Sequence, residues 1–432
     1  MDLGNTILDI GHKVRPVAGK FVPQFIIDKI YEILTNNTGK MAVHRFKTEP
    51  KKKFNPVRFK KGINLVGDIE SATGIGQSMR LLGGVMEDQN IPFATHQFSL
   101  CEDGFSQENP FKDKNTDGYP YGINLFHINT ADFPNAYLKL GPNPWSGHYN
   151  IAHWVWELEE LPEKWIPYMC MADEFWTPSE FASSVFRKYT NKKVVTVPHS
   201  VTAPYDEKYD RKYFGLPEDR FLFLTMYASD SLVERKNPQA VVRAFKKAFK
   251  KNDPSVGLVI KVVPSKHRTG DIDELKRMTA GYDNVYFLTD EYEKIEVNSM
   301  IRDVDVYVSL HRSEGFGLTL AESMMLGTPT IATDWSGNVE FQNRETACMV
   351  NYKLVNVGKN IPLFPEGSKW AEASFEDAAG YMRKLYTDRE FYNKIRDNAL
   401  KSINNQLSKE SVGKIIKKRI NAIYNKALKN SK

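Results

Sequence analysis

The residues most able to do chemistry lie between Val306 and Glu322. An apolar run, Val306–Leu310, reads as a buried strand. It leads through His311-Arg312-Ser313-Glu314-Gly315-Phe316-Gly317 into a helix that opens at Leu318. A helix start exposes unpaired N–H groups and a partial positive charge, which together attract an anion. Gly315 and Gly317 let backbone approach a ligand with no Cβ in the way. Glu314 precedes this anion site and Glu322 lies about one turn inside the helix. Two carboxylates beside a phosphate site repel the phosphate that the amides attract. Hydroxyl-rich groups on either side of the phosphate resolve the conflict, and a nucleotide sugar is such a ligand. The competing reading is two solvated acids near a helix start.

The elements that must hold this loop follow a regular scheme. Strands over Phe221–Ala228, Gly257–Val263, Val285–Leu288, Val304–Leu310 and Pro329–Thr333 alternate with helices over Asn237–Lys250, Ile272–Ala280, Ile295–Arg302 and Leu318–Leu326. Such alternation predicts a doubly wound parallel sheet. The first half carries apolar runs at Gly62–Gly67, Asn124–Ile128, Tyr149–His153, Glu174–Pro178 and Val194–Pro198, each ahead of a turn or helix. Helical segments over Ala373–Tyr386 and roughly 390–428 close the chain. We read a basic extension over 1–60, a first Rossmann-like domain over 61–203, a second over 204–390, and terminal helices over 391–432.

Glu314–Glu322 resembles the E-x7-E motif, in its E-G-F-G form, of the retaining GT-B glycosyltransferases of family four. The run Ser323–Ala332 is similar to the A-x-G-x-P-V-I-A region of that family. The resemblance covers the second domain well and the first more thinly. It implies an α/β GT-B fold: two doubly wound Rossmann-like domains facing a cleft, with a C-terminal helix crossing back to the first. It also implies a nucleotide-diphosphate sugar bound mainly to the second domain. Glu322 would then accept from the ribose hydroxyls and Glu314 would contact the transferred sugar. The amides of Phe316, Gly317, Leu318 and Thr319 would meet sugar and phosphates.

Family members place an Arg and a Lys after the first strand of the second domain, where leaving-group charge develops. Lys236 matches the family Lys. Asp230 stands where the Arg belongs, so Arg235, whose fork suits phosphate oxygens, is expected to compensate; two plain surface cations are the alternative. Gly74 and Gly76, opening a helix after the strand Gly62–Gly67, resemble the family's first glycine loop. Met79 replaces a third dinucleotide glycine and argues against a nicotinamide site. His153 is similar to the family histidine that bonds the donor sugar, with a structural histidine as the competing reading. The implied activity moves a hexose-type sugar to a glycan, lipid-linked or glycoprotein acceptor in surface polysaccharide or glycoconjugate synthesis. A catalytically silent partner of another glycosyltransferase is the second reading.

Composition narrows the rest. The chain has 432 residues with 41% apolar and 26% charged, which excludes disordered, collagenous and disulfide-scaffold classes. No stretch approaches a membrane span, and no secretory leader is read at the N-terminus. Three scattered cysteines suit a reducing compartment, and the expected location is cytoplasmic, at the inner membrane face if the ends bind lipid. The net charge of +6 is unevenly spread: residues 1–60 carry +7, residues 401–432 carry +8 and the middle −9. Basic ends, with the apolar Phe21–Leu34 beside one of them, suit an anionic membrane surface or are solvated tails without a partner. No nucleic-acid module is present, so that partner is not expected. Asp303-Val304-Asp305 has metal-binding D-x-D spacing but precedes its strand; it reads as a helix-to-strand junction, and neither metal nor cofactor is expected beyond the donor itself.

Overall fold

A computed structural model describes residues 37–71, 73–100, 108–264, 270–358, 361 and 363–430. Phe21–Leu34 and Cys101 lie outside the described residues. A helix over 37–48 (α1) leads to β1 (Lys60–Gly67), α2 (Gly74–Asp88), β2 (Phe93–Gln97), β3 (Tyr121–His127) and α3 (Phe133–Leu140). Next come β4 (Tyr149–His153), β5 (Glu174–Thr177), α4 (Glu180–Arg187) and β6 (Lys193–Thr196). The second half runs β7 (Phe221–Ala228), α5 (Val233–Lys236), α6 (Pro238–Ala248), β8 (Val256–Val263), α7 (Gly270–Met278) and β9 (Val285–Leu288). It continues with α8 (Lys294–Asp303), β10 (Val306–Ser309), α9 (Leu318–Met325), β11 (Thr330–Thr333) and β12 (Cys348–Val350). A hairpin, β13 (Tyr352–Asn356) and β14 (Lys369–Ala373), precedes α10 (Phe375–Thr387), α11 (Arg389–Gln406) and α12 (Lys409–Asn430).

Two six-stranded sheets result, ordered β2-β1-β3-β4-β5-β6 and β12-β11-β10-β7-β8-β9. Every pairing within them is parallel. Parallel strands are covered on both faces, which is why β7 and β8 read as nearly continuous apolar runs. Helix α6 shows the complementary pattern: Ala240, Val241, Ala244 and Phe245 are buried while Lys246 and Lys247 stay on the outer side. This is the GT-B architecture, with each sheet reversing direction once, between β1 and β3 and between β7 and β10. Ligands in doubly wound sheets bind at that reversal, outside the carboxyl ends of the strands.

The region roughly 390–428 forms two helices rather than one. The break falls at Leu407–Ser408, where the Ser408 hydroxyl accepts from the Ser411 amide at 3.2 Å and starts α12 afresh. Helix α12 returns to the first sheet: Val412, Ile416, Ile420, Ile423 and Tyr424 are buried with Ile63, Leu65 and Val85 of β1 and α2. Arg419 clasps the fully buried Glu174 of β5, its Nε donating at 2.6 Å. Tyr149 and Trp176 donate to the same carboxylate at 2.9 Å each. A buried ion pair needs such extra hydrogen bonds to offset desolvation.

The hairpin β13–β14 was not legible as strands, because Tyr352–Asn356 mixes exposed polar and apolar residues without a buried run. It makes a second bridge between the domains. Val357, Phe364 and Trp370 are buried in the same cluster as Trp156, Leu158, Leu161 and Trp165 of the first domain. The rings of Trp156 and Phe364 meet edge to face at 5.5 Å.

Candidate functional site

The loops after β7 and β10 meet at the reversal point of the second sheet. Gly317 caps α9 with φ +95°, a left-handed conformation that glycine adopts without strain. The chain thereby turns so that the amides of Leu318 and Thr319 head the helix. Behind them the loop is clamped. The Glu314 amide donates to Ser336 Oγ at 2.8 Å, and the Gly337 amide donates to Glu314 O at 2.8 Å. A Cβ on Gly337 would lie 2.3 Å from Gly315 O and 2.5 Å from Phe316 N, so only glycine lets the two backbones lie this close.

Glu314 is gripped by two cations. Lys236 Nζ lies 2.5 Å from its Oε1, and Arg235 Nη1 lies 3.2 Å from its Oε2. Arg235 is fixed further by donating to Ser313 O at 2.9 Å and Ser231 O at 3.3 Å. Burial opposes ionisation of Glu314, but Lys236 and Arg235 outweigh it and hold the carboxyl well below the ordinary carboxylate range. Lys236 itself is shifted down, chiefly by burial. Both cations belong to the short helix α5, which Asn237, in left-handed conformation at φ +53°, separates from α6.

Glu322 is buried inside α9 and pairs with Lys294, the first residue of α8, at 2.7 Å. Lys294 was not foreseen; nothing in its sequence surroundings places it beside α9.

The first sheet contributes a histidine cluster at its own reversal point. His127 ends β3 and His153 ends the adjacent β4; their rings stack at 4.4 Å. His199 lies 5.8 Å from His153. Ser78 Oγ of α2 bridges His127 Nε2 at 2.6 Å and His199 Nδ1 at 3.1 Å. Burial pushes His127 down to about 4 and His199 to about 3, and His153 falls well below its usual value for the same reason. Among the described residues both ring nitrogens of His153 lack a hydrogen-bond partner, as do His127 Nδ1, Thr130 Oγ1 and Trp154 Nε1. Buried polar atoms without partners cost about 1–3 kcal/mol each, and here they gather at one sheet edge. Gly74 and Gly76 open α2 at this same edge. The Gly76 amide donates to Thr73 Oγ1 at 3.4 Å, and a Cβ there would meet Ser71 O at 2.1 Å. Gly74 has no such constraint.

The two sets are joined. His199 meets the buried Phe316 ring edge to face at 4.8 Å. Ser179 Oγ donates to Gly315 O at 2.7 Å, and Ser313 Oγ donates to Glu157 O. The structure thus brings Glu314, Arg235, Lys236, Phe316 and Gly317 into one cluster, with Glu322 on the helix behind and the His153 cluster reached through Phe316. His127, His199, Ser78, Ser336 and Gly337 were missed. A histidine terminating each of two neighbouring strands was the one available signal. Asp305, of the D-x-D spacing, accepts from Arg211 at 2.9 Å and from the Leu222 amide at 2.8 Å, at the opposite edge of the sheet.

Residues 206–361 match the family model described as Glycosyl transferases group 1, a span that contains Arg235, Lys236, Glu314 and Glu322. No curated protein matches the chain in sequence. Among solved structures, sucrose-phosphate synthase from Thermosynechococcus elongatus superposes with a TM-score of 0.62 at 14% identity, over 85% of this chain and 100% of that one. Anabaena HepE in complex with UDP and glucose gives 0.59 at 11% identity, over 84% and 100%. The pneumococcal O-GlcNAc transferase GtfA in complex with UDP and GlcNAc gives 0.56 at 13% identity, over 84% and 99%. The fold is therefore GT-B, and residues 206–361 are similar to a glycosyl transferases group 1 domain.

Proposed function

We propose that this chain is a retaining glycosyltransferase that moves a hexose-type sugar from a nucleotide-diphosphate donor to a hydroxyl of a glycan, lipid-linked or glycoprotein acceptor. The observation that carries the reading is the cluster of Glu314, Arg235 and Lys236 at the sheet reversal, with Glu322 about one turn inside the helix that follows. Similar structures hold UDP with glucose or GlcNAc, which supports a nucleotide-sugar donor.

In this reading the diphosphate enters at the head of α9, drawn by the amides of Phe316, Gly317, Leu318 and Thr319. Glu322 accepts from the ribose hydroxyls, sharing its carboxylate with Lys294. Glu314 stays ionised and accepts from hydroxyls of the transferred sugar. Arg235 and Lys236 then share their charge between Glu314 and the phosphate oxygens. As the bond from sugar C1 to the β-phosphate oxygen breaks, negative charge grows on that oxygen, where these fixed cations and the helix head stabilise it. The acceptor oxygen bonds to C1 from the face the phosphate leaves, and its proton passes to the departing phosphate. His153, neutral at physiological pH, bonds the sugar from the first domain. Gly74 and Gly76 let α2 face the diphosphate across the cleft. Contacts such as Ser179 to Gly315 hold the domains closed and exclude water that would hydrolyse the donor.

We assign acceptor binding to the residues 61–203 side, donor binding to 204–390, and the terminal helices to bridging. Among the described residues no helix is long and apolar enough to cross a membrane. The basic ends would hold the enzyme to an anionic membrane surface.

Incubating the purified chain with UDP-glucose or UDP-GlcNAc and measuring released UDP tests the proposal. Release should fall by about 100-fold or more in Glu314→Ala while the fold persists, as expected when a group stabilising the transition state is removed. Equal release from both proteins would remove Glu314 from the mechanism. Release from the chain alone would also exclude the silent-partner reading.

A further inference from the structure

Lys261 lies in the second sheet, on the strand next to its β9 edge. It lies on β8 and is 4% exposed. Among the described residues its ammonium has no hydrogen-bond or ion-pair partner; its nearest aromatic contact is the Tyr292 ring, 6.0 Å away. Burial lowers its pKa to about 8, with Glu291 acting weakly the other way. A lysine side chain only 4% exposed is held away from most of the water that solvates an ammonium, and an apolar side chain of equal length would serve packing better. A group in this state points to an acceptor that arrives from outside the chain.

The topology says which part of a ligand arrives there. Lys261 pairs in register with Met226 and Leu288. Two residues back on the same face, Val259 packs in the cluster that contains α8 and α9 residues, so Lys261 faces those helices near the carboxyl end of β8. The strand order β10-β7-β8-β9 is a ruler with marks about 4.8 Å apart. The diphosphate site proposed above lies between β10 and β7. Lys294, which grips Glu322, opens α8 just after β9, and Tyr292 lies two residues before it. A nucleotide with its phosphates at the reversal and its ribose on Glu322 extends towards β8 and β9. Its base end then reaches Lys261.

We infer that Lys261 binds the nucleobase, donating from its ammonium to a carbonyl oxygen of the base, and that this contact favours uracil over adenine. Uracil presents carbonyl oxygens to such a donor, whereas adenine has no carbonyl, accepts only through ring nitrogens and sets an amino donor where uracil has an oxygen. Sites built around one buried hydrogen bond discriminate strongly against the analogue that cannot complete it. The inference rests on the donor placement of the preceding section.

Calorimetric titration of UDP, ADP and inorganic pyrophosphate into the full chain and its Lys261→Met variant tests it. The variant should bind UDP about tenfold or more weakly, as for loss of a hydrogen bond to a charged group. Pyrophosphate affinity should be unchanged, the preference for UDP over ADP should shrink, and the nucleotide-free variant should melt no lower than the wild type. Unchanged UDP affinity would overturn the inference. So would an equal loss for pyrophosphate, which would place Lys261 on the phosphates, or a lower melting temperature without nucleotide, which would make it structural. Failure of the wild type to bind UDP, ADP or pyrophosphate would refute the donor reading itself.

Discussion

Gly337 offers a way to disturb the Glu314–Phe316 loop without touching any charged residue. A methyl group placed there would lie 2.3 Å from Gly315 O, 2.4 Å from Gly315 C and 2.5 Å from Phe316 N. A carbon rests against a carbonyl oxygen at about 3.3 Å or more, so the Glu314–Phe316 backbone must retreat by about 1 Å. All three contacts are backbone atoms, which cannot rotate away. The overpacking should cost about 1–3 kcal/mol of stability, an amount a chain with ordinary reserves survives. The functional cost should be larger, because a displacement of about 1 Å at a reacting centre can lower turnover about 100-fold. Gly337→Ala should therefore release UDP from its donor about 100-fold more slowly than the wild type, with a modest fall in melting temperature. Ser336→Ala, which removes only the hydroxyl that accepts from the Glu314 amide, should produce a smaller fall in the same direction. Gly380, where a Cβ meets nothing within 4 Å, supplies the control: Gly380→Ala should be stabilising by about 0.5–1 kcal/mol and fully active. Turnover in Gly337→Ala within twofold of the wild type would refute the claim that this backbone contact sets the loop.

Other perturbations follow from the same geometry. His127 and His199 bind protons in the unfolded chain near the ordinary histidine pKa of about 6.5 but resist them in the native state down to about 4 and 3. Native stability is thus intact above about pH 6.5 and falls as pH drops, by about 1.4 kcal/mol per unit for each histidine. Urea unfolding at pH 7 and pH 5 should differ by about 4 kcal/mol from these two residues, and a flat profile would contradict their burial. Trp370→Ala should cost about 3–5 kcal/mol, since the ring is 4% exposed and Arg312 lies over it at 5.2 Å. A loss below about 1 kcal/mol in urea unfolding would contradict the packing of this ring against the first domain. Glu322→Gln should weaken UDP binding measured by calorimetry about tenfold, the loss of a charge-assisted hydrogen bond, and unchanged affinity would take the ribose away from Glu322.

The cluster around Glu314 was legible because most of its parts are nearly contiguous. Glu314, Gly317 and Glu322 lie on one strand–loop–helix unit, where spacing alone sets geometry, and the alternation of strands and helices announced both sheets. Arg235 and Lys236 became assignable only through the resemblance; the sequence does not say that they would converge on Glu314. Lys294 and Lys261 belong to separate segments that meet only because α8 packs beside α9 and β8 lies next to β7. No local pattern marks such meetings. His199 was read as architecture and not chemistry for a related reason, since it lies in the connection after β6 and reaches Ser78 across 121 positions of sequence. Hairpin β13–β14 was invisible because its burial is supplied by the other domain rather than by its own alternation.

A crystal structure of the chain with UDP would test the central claim most directly. The account predicts the diphosphate against the Gly317–Thr319 amides beside Arg235 and Lys236, with the ribose hydroxyls on Glu322. UDP lodged elsewhere, with Glu314 still locked to its two cations and Glu322 touching only Lys294, would contradict it.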